Sequence, residues 1–216
     1  MHFDFILFDL DGTLTDPAAG ITRSVAHALA KRGIAVPDLR ALHPFIGPPL
    51  IDSFMRYYGF PRDEAVRAVA DYREYYAVRG IFENTVYPGI PALLRQLKSA
   101  GKWVGMATSK PEPYARQIVD HFGLTVYFDA ICGSLMDETR TAKADVIAYL
   151  LESYRIAPDR AVMVGDRSYD VAGAQAFGIP CIGVTFGYGS ADELRDAGAA
   201  ALADSPEAVF ELIAAG

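Results

Sequence analysis

Cysteine is scarce in this sequence of 216 residues, which contains only Cys132 and Cys181. Two cysteines do not make a disulfide framework, and their scarcity favours a reducing compartment. Both lie within apolar segments, as small buried core residues do. We therefore expect neither cysteine to take part in chemistry.

Basic residues and long apolar runs are also few. The 20 Lys and Arg against 27 Asp and Glu give a net charge of -7, which argues against a general nucleic-acid or membrane-surface binder because both partners are polyanions. The N-terminus lacks the basic region and cleavage site of a signal peptide, and no uncharged apolar run approaches the length of a membrane span. We therefore expect a cytoplasmic protein with no nucleic-acid or membrane partner. A small anionic substrate stays compatible with this charge.

The sequence is rich in short apolar segments bounded by Gly, Asp or Pro, a pattern typical of parallel strands buried on both faces. Helical patterns lie between these segments, and an Ala-rich tail from Ala197 predicts a last surface helix. Strands that alternate with helices predict an α/β fold with a doubly wound parallel sheet. The predicted strands are Phe3–Phe8, Trp103–Ala107, Phe128–Cys132, Ala161–Val164 and Pro180–Val184, and the predicted helices include Gly89–Ala100, Pro111–Phe122, Thr141–Tyr154 and Tyr169–Phe177.

Strand patterns are missing from the segment between about Asp16 and Asn84, where the periodicity is helical. Asp16 followed by Pro17 predicts a helix N-cap with proline at the first helical position. A helical insert placed after the first strand would stand over the ligand crevice of an open α/β sheet. We therefore predict an α-helical cap domain over 16–84, inserted into a core domain formed by 1–15 and 85–216.

Polar residues follow four of the predicted strands. Taken singly they have ordinary explanations, such as an Asp-Gly turn, a helix cap or a solvated lysine. Together they fall at the edge where open α/β sheets bind ligands, which predicts a single functional site. They are Asp9 and Asp11 after the first strand, Thr108 and Ser109 after the second, Lys143 after the third, and Asp166 and Asp170 after the fourth.

These segments resemble the four motifs of the haloacid dehalogenase superfamily, in the same order and at typical separations, from Phe3 to about Val184. The Asp-x-Asp-Gly-Thr-Leu signature is highly specific when the lysine and the Gly-Asp-x-x-x-Asp motif follow it. The helical insert resembles the α-helical cap of that superfamily. The whole pattern is similar to its phosphoglycolate phosphatase and 5′-nucleotidase-like branches.

The resemblance implies a phosphoglycolate phosphatase-like enzyme that hydrolyses a small phosphomonoester through a phospho-aspartyl intermediate. Asp9 would attack phosphorus, and Asp11 would protonate the leaving group and then activate water. Thr108 and Ser109 would hold the phosphoryl oxygens. Lys143 would neutralise charge on Asp9 and on the transferring group.

A cluster of carboxylates repels a phosphate dianion, at a cost of about 4 kcal/mol for each like-charge pair at ~4 Å and an effective dielectric of ~20. A divalent cation removes this obstacle, and oxygen-only ligands indicate Mg²⁺. By the resemblance, the metal ligands would be Asp9, Asp166, Asp170 and the backbone carbonyl of Asp11. We expect Asp166 to be the direct acidic ligand because it stands at a strand terminus. Asp170 would bind through water or hold other ligands in place.

Other functions share parts of this pattern. A sugar phosphomutase usually carries a Glu-Asp pair in the fourth motif, where this chain has Gly165-Asp166. A haloacid dehalogenase does not need Asp11. A receiver-like signalling domain also accepts phosphate on an aspartate, but the helical insert and Asp11 argue against it. The substrate (phosphoglycolate, a nucleoside monophosphate or a sugar phosphate) and the state as monomer or homodimer stay open.

We expect the cap to set specificity, because the core recognises only the phosphoryl group. Arg23 and Arg56 are candidates for contact with a substrate carboxylate or second phosphate, although helix arginines are commonly solvated. Most of the cap tyrosines are expected in the cap core, and one could stack on a base. They are Tyr57, Tyr58, Tyr72, Tyr75 and Tyr76.

Overall fold

The structure is a computed structural model and describes residues 3–137 and 139–215. The chain divides into two compact units. One is formed by the described residues up to Asp16 and from Val86 onward, and the other by Pro17–Thr85. Among the described residues, no helix is both long enough and apolar enough to cross a bilayer.

The first unit is built on a six-stranded sheet in which every neighbouring pair of strands runs parallel. Parallel pairing requires crossover connections, which the intervening helices supply. The sheet confirms the predicted α/β fold class. Its strands are β1 Phe5–Phe8, β4 Trp103–Pro111, β5 Ala130–Ser134, β6 Ala161–Gly165, β7 Cys181–Val184 and β8 Ala201–Ala203, in the order β5-β4-β1-β6-β7-β8, while β2 Thr15–Asp16 and β3 Thr85–Val86 pair separately.

The helices of this unit bury one face each. In the first of them, four apolar residues are buried in the spacing that the sequence predicts, and Ile90 and Leu97 are examples. The helix ends before Gly101, whose φ of 72° suits a residue without a side chain. The helices are α4 Ile90–Ser99, α5 Glu112–His121, α6 Lys143–Tyr154, α7 Ser168–Gln175, α8 Ala191–Asp196 and α9 Pro206–Ala215.

Strand β1 lies near the middle of the sheet and fixes where the strand ends meet. Its last residue, Phe8, pairs with Met106 of β4 on one side and with Val164 of β6 on the other. The residues that follow these three strands therefore share one edge of the sheet, which is the edge where ligands bind in such folds.

Two predictions about local structure are wrong. The Ala-rich tail does not form a single helix, because Ala201–Ala203 pair with β7 as strand β8 before α9 begins at Pro206. The open edge of β7 accepts this short strand in spite of the helix propensity of alanine. Asp16 is not a helix N-cap either, since it belongs to β2 and its carboxylate accepts a hydrogen bond from the Tyr188 hydroxyl.

The second unit, Pro17–Thr85, is helical, as its periodicity predicts. A 3₁₀ segment at Leu39–Phe45 connects its first two helices, and another at Gly80–Phe82 follows its third. The first and third helices pack together, and Arg32, just after the first helix, pairs with Glu64 at 2.5 Å and Asp71 at 2.7 Å on the third. The helices are α1 Ala18–Ala30, α2 Leu50–Tyr58 and α3 Arg62–Tyr76.

Candidate active site

The loop after β1 turns tightly and carries two aspartates. The amide of Asp9 still donates to the carbonyl of Val164 at 3.0 Å, so Asp9 continues the sheet. Gly12 then adopts a φ of 83°, and a Cβ at this position would lie 2.2 Å from Oδ2 of Asp166. Only glycine meets both conditions without strain. The glycine thus allows the loop to approach the end of β6.

Three carboxylates form an acidic group at this edge. Asp9 follows β1, Asp166 follows β6, and Asp170 lies in the first turn of α7. One oxygen from each lies within 4.8 Å of the others, and all three residues are at least nine-tenths buried. Their convergence comes from the sheet register, because β1 and β6 are neighbours.

The acidic group is held by hydrogen bonds from the surrounding backbone and side chains. Asp166 accepts one from the amide of Tyr188 at 2.8 Å and one from the hydroxyl of Thr13 at 3.4 Å. Asp170 accepts one from the amide of Arg167 at 3.0 Å. These donors orient the carboxylates before any ligand binds.

Lys143 is the first residue of α6, and its ammonium contacts two members of the acidic group. Its Nζ lies 2.8 Å from Oδ1 of Asp9 and 2.8 Å from Oδ1 of Asp170. It also donates to the carbonyl of Ala107 at 2.8 Å, which ties it to β4. With only 4% of the side chain exposed, the ammonium is fixed in place rather than solvated.

Burial and like charge govern the ionisation of this group. Burial raises the pKa of Asp166 well above its ordinary value, and the charges of Asp170 and Asp9 add to the rise. Burial likewise raises the pKa of Asp170 against the attraction of Lys143. Burial opposes the charge of Lys143, but Asp170 and Asp9 outweigh it and raise its pKa. Three carboxylates thus share a single ammonium, that of Lys143, and the charge of the group is not balanced. A set of oxygen donors of this kind fits a divalent cation such as Mg²⁺.

The side chain of Asp11 is not part of the acidic group. Its Oδ1 lies 2.7 Å from Nζ of Lys110, and both side chains are almost fully buried. Burial raises the pKa of Asp11, although the neighbouring Lys110 charge acts in the opposite direction. The second aspartate of the loop therefore has a cationic partner of its own.

Thr108, Ser109 and Lys110 lie in a bulge of β4. Ala107 pairs with Cys132 of β5, but the next pair along is Pro111 with Ser134, so β4 has two extra residues there. Bulges re-aim side chains and occur often beside active sites. In this one, Thr108 is buried and its hydroxyl accepts a hydrogen bond from the amide of Lys110 at 3.2 Å.

The sequence model of a family described as haloacid dehalogenase-like hydrolase matches residues 6–184, a range that includes every predicted site residue. The chain belongs to this family. The family predicted from the four motifs is thereby confirmed, and the alternative of a receiver-like signalling domain has no support in this match.

The relatives of this hydrolase carry names that denote different activities. A 5′-nucleotidase of Pseudomonas aeruginosa is 51% identical over 195 residues, 90% of this chain and 88% of its own. Tyrosine-protein kinase PtkA of Mycobacterium tuberculosis is 45% identical over 187 residues, 87% of this chain and 64% of its own. A phosphoglycolate phosphatase of Yersinia pestis is 32% identical over 190 residues, 85% of this chain and 81% of its own. The names of these relatives confirm the predicted branch of the superfamily, which includes 5′-nucleotidases and phosphoglycolate phosphatases.

A solved structure extends the likeness to the whole chain of this hydrolase. The crystal structure of a predicted phosphatase from Clostridium acetobutylicum is 49% identical to it and covers 100% of both chains with a TM-score of 0.98. The α/β fold and the helical insert are therefore shared with an experimental structure.

Four of the predicted site residues of this hydrolase make one continuous group: Asp9, Asp166, Asp170 and Lys143. Asp11 lies close enough for the Asp9 charge to act on its pKa. Thr108 and Ser109 occupy the bulge beside the carbonyl that Lys143 binds. The carbonyl of Ser109 accepts a hydrogen bond from the Ser134 hydroxyl at 2.8 Å.

Three residues of the site were not predicted from the sequence: Thr13, Lys110 and Tyr188. A lysine after a strand is usually solvated, so nothing in its spacing predicts that Lys110 is buried against Asp11. Thr13 belongs to the quoted signature, yet its bond to Asp166 depends on how the loop folds. Tyr188 acts through its backbone amide, which any residue except proline possesses.

The candidates for specificity in the helical insert have partners within that unit. The guanidinium of Arg23 lies 2.7 Å from a carboxylate oxygen of Glu83, which also accepts from the Tyr75 hydroxyl. Arg56 lies over the ring of Tyr57, with 5.5 Å to its centroid. Of the tyrosines, Tyr72 and Tyr76 are buried as predicted, whereas 44% of Tyr57 is exposed.

Proposed function

We propose that this haloacid dehalogenase-like hydrolase cleaves small phosphomonoesters with Mg²⁺, through an aspartyl phosphate formed on Asp9. The observation that carries the proposal is the position of Lys143, whose Nζ lies 2.8 Å from the carboxylate of Asp9, a member of the acidic group. The fixed ammonium holds the Asp9 carboxylate in place and would offset the charge of the transferring phosphoryl group, as nucleophilic attack on phosphorus requires. Phosphatase relatives support this reaction class.

The carboxylates of Asp9, Asp166 and Asp170, with the backbone carbonyl of Asp11, are the ligands that we assign to the metal ion. When bound, the ion supplies positive charge that offsets both the carboxylates and the phosphoryl oxygens. Asp166 is held by two donors and buried completely, which suits a direct ligand. Asp170 is partly neutralised by Lys143, which suits a weaker or indirect one.

The side chains of the protein carry out the transfer of the phosphoryl group and of the protons. In the first half, an oxygen of Asp9 bonds to phosphorus while the bond to the leaving oxygen breaks, and the Asp11 carboxyl gives its proton to that oxygen. In the second half, Asp11 takes a proton from water as the water oxygen bonds to phosphorus and the Asp9 bond breaks. Thr108 and Ser109 hold the phosphoryl oxygens, and Lys143 offsets their charge. The helical insert would act as the cap that selects the ester.

For the substrate, we propose a nucleoside 5′-monophosphate ahead of phosphoglycolate. The resemblance of the motifs favours a phosphoglycolate phosphatase-like enzyme. The relative named 5′-nucleotidase is 51% identical, however, against 32% for the relative named phosphoglycolate phosphatase. The test is phosphate release from a panel of nucleotides, phosphoglycolate and sugar phosphates with Mg²⁺, compared as kcat/KM. A preference for phosphoglycolate would reverse the order, and no phosphate release from any ester would refute the reaction class.

A second candidate is phosphoryl transfer to a protein tyrosine, which the name of the PtkA relative favours. The aspartyl phosphate could serve both reactions: in the kinase reaction Asp9 would take the γ-phosphoryl group from ATP with ADP as the leaving group, and a tyrosine hydroxyl in place of water would then receive it and lose its proton. The chain should be incubated with ATP and Mg²⁺, and phosphotyrosine measured beside free phosphate. Phosphotyrosine formed at a rate that exceeds phosphate release would favour the kinase.

A further inference from the structure

Lys110 is a buried lysine to which the reaction described above gives no role. Its side chain is 5% exposed, and that of its partner Asp11 is 10% exposed. Lysine is almost never buried unless it is paired, because removing an ammonium from water is costly. The ion pair at 2.7 Å accounts for its burial, and the question is what the contact does for Asp11.

The bulge of β4 aims Lys110 at Asp11. Contacts hold its backbone on several sides: the amide donates to the Thr108 hydroxyl, and the Ser134 hydroxyl donates to the carbonyl of Ser109. The facing strand approaches so closely that a Cβ on Gly133 would lie 2.4 Å from the carbonyl oxygen of Lys110. The position of the ammonium is therefore fixed by the sheet and not by a flexible loop.

The two buried lysines divide the aspartates between them. Lys143 contacts Asp9 and Asp170, whereas Lys110 contacts Asp11. Without Lys110, the Asp11 carboxylate would be near the charge of Asp9 with one less contact to fix its rotamer. Proton transfer needs the carboxyl within hydrogen-bond reach of the leaving oxygen. A misplacement of about 1 Å can cost roughly 10²-fold in rate.

We propose that Lys110 is a positioning residue that fixes the Asp11 carboxylate through Oδ1, so that Oδ2 exchanges the proton with the leaving oxygen and later with water. This role rests on the proposed function of Asp11 as acid and base. Lys110 itself neither gains nor loses a proton in the reaction. Its effect therefore depends on how much the leaving group needs a proton.

The test compares two esters with Lys110→Met. An alkyl phosphate has a poor leaving group that needs a proton, so its kcat/KM should fall by about 10²-fold, the lower range for general acid catalysis. The p-nitrophenolate of p-nitrophenyl phosphate leaves without a proton. The rate of its initial burst, which reports formation of the phosphoenzyme, should change by less than about threefold. Lys98→Met is the matched control, because Lys98 also pairs with an aspartate, Asp129 at 2.6 Å, in an ion pair outside the described site.

The Asp11→Asn background separates positioning from a direct role. If Lys110 acts through Asp11, then Lys110→Met in that background should cause no further loss on the alkyl phosphate. An equal loss on both esters, or a loss that persists with Asn at position 11, would overturn the proposal. Activity of the wild-type protein on both esters, abolished by Asp9→Asn, establishes the reaction class independently of either result.

A second variant covers the case in which Lys110→Met does not fold. Lys110→Gln removes the charge but keeps a side chain that can donate to Asp11, so it leaves the other bulge residues in place and avoids an apolar group beside the buried carboxylate. It should show a smaller loss that is again selective for the alkyl phosphate, with the unfolding midpoint measured in parallel. Selective loss supports positioning, and equal loss on both esters contradicts it.

Discussion

At the scale of single residues, Asp9 and Asp170 both belong to the acidic group and both contact Lys143. They differ in what surrounds them, because Asp170 lies in the first turn of α7, where it accepts a hydrogen bond from the amide of Arg167. Asp9 directly follows β1 and lies two residues before Asp11. The proposed nucleophile is therefore Asp9, which shares its loop with the proposed acid and base.

Asp9→Asn should reduce kcat by about 10⁴-fold or more, because an amide oxygen cannot form the phospho-aspartyl bond, while the fold persists. Phosphate release and circular dichroism measure the two effects. Asp145→Asn is the matched control, since Asp145 lies on the exposed face of α6 two residues after Lys143. Turnover of Asp9→Asn near the wild-type rate would contradict the mechanism.

Lys143 contributes to stability as well as to chemistry. Lys143→Met leaves Asp9 and Asp170 buried without their shared ammonium, so in the presence of a chelator the free energy of unfolding should fall by about 3–5 kcal/mol. Lys98→Met breaks a pair whose side chains are about one-third exposed, and it should cost about 1 kcal/mol or less. Urea unfolding of both variants measures the difference. Equal losses would mean that the burial of Lys143 has no energetic consequence.

At the scale of elements, the loop after β1 and the bulge of β4 decide where the site residues point. The loop depends on Gly12 for its approach to Asp166, and the bulge depends on Gly133 for its approach to β5. Both are places where backbone comes so close that a side chain would collide. The chemistry of the site therefore depends on two residues that carry no functional group.

Gly12→Ala tests the loop. It combines left-handed strain with a collision at 2.2 Å against Asp166, so it should abolish the stabilisation by Mg²⁺ as well as destabilise the fold. Gly101→Ala is the matched control, because Gly101 has a similar φ of 72° but nothing within 4 Å of its Cβ position. It should cost about 1–2 kcal/mol from strain alone and keep the response to Mg²⁺. Thermal unfolding with and without Mg²⁺ distinguishes the two variants, and an unchanged response in Gly12→Ala would argue against the loop as the support of Asp166.

At the scale of the whole molecule, binding of Mg²⁺ should be linked to stability, because the acidic group exists only in the folded chain. At a concentration of about 100 times its Kd, the ion should add about 2.7 kcal/mol to the free energy of unfolding. Asp166→Ala should lose most of this gain, and Ca²⁺ should be compared as a second ion. A Tm that does not respond to Mg²⁺ in the wild-type protein would refute the metal assignment.

The sequence predicted the alternation of strands and helices because buried parallel strands leave continuous apolar runs, such as Phe3–Phe8. It also predicted which strand ends carry the acidic group, since parallel register places them together. The short strand Ala201–Ala203 was not predicted because three residues are too few to show a periodicity, and they form a strand only by pairing with the edge of β7. The burial of Lys110 was not predicted because it depends on the bulge in β4, which the spacing of residues in the sequence does not indicate. The roles of the site residues and the cap role of the insert stay predictions.

The sheet order has a consequence for synthesis on the ribosome. β1 emerges first, yet its two neighbours are β4 and β6, which begin about 100 and 155 residues later. At roughly 5–20 residues per second, Phe5–Phe8 waits several seconds or more with both edges open, and about 10–30 s pass between the emergence of Asp9 and that of Asp170. An apolar strand with two open edges invites intermolecular pairing. The nascent chain should therefore be a chaperone client until β6 is complete, and its yield should depend on how fast the helical insert is translated.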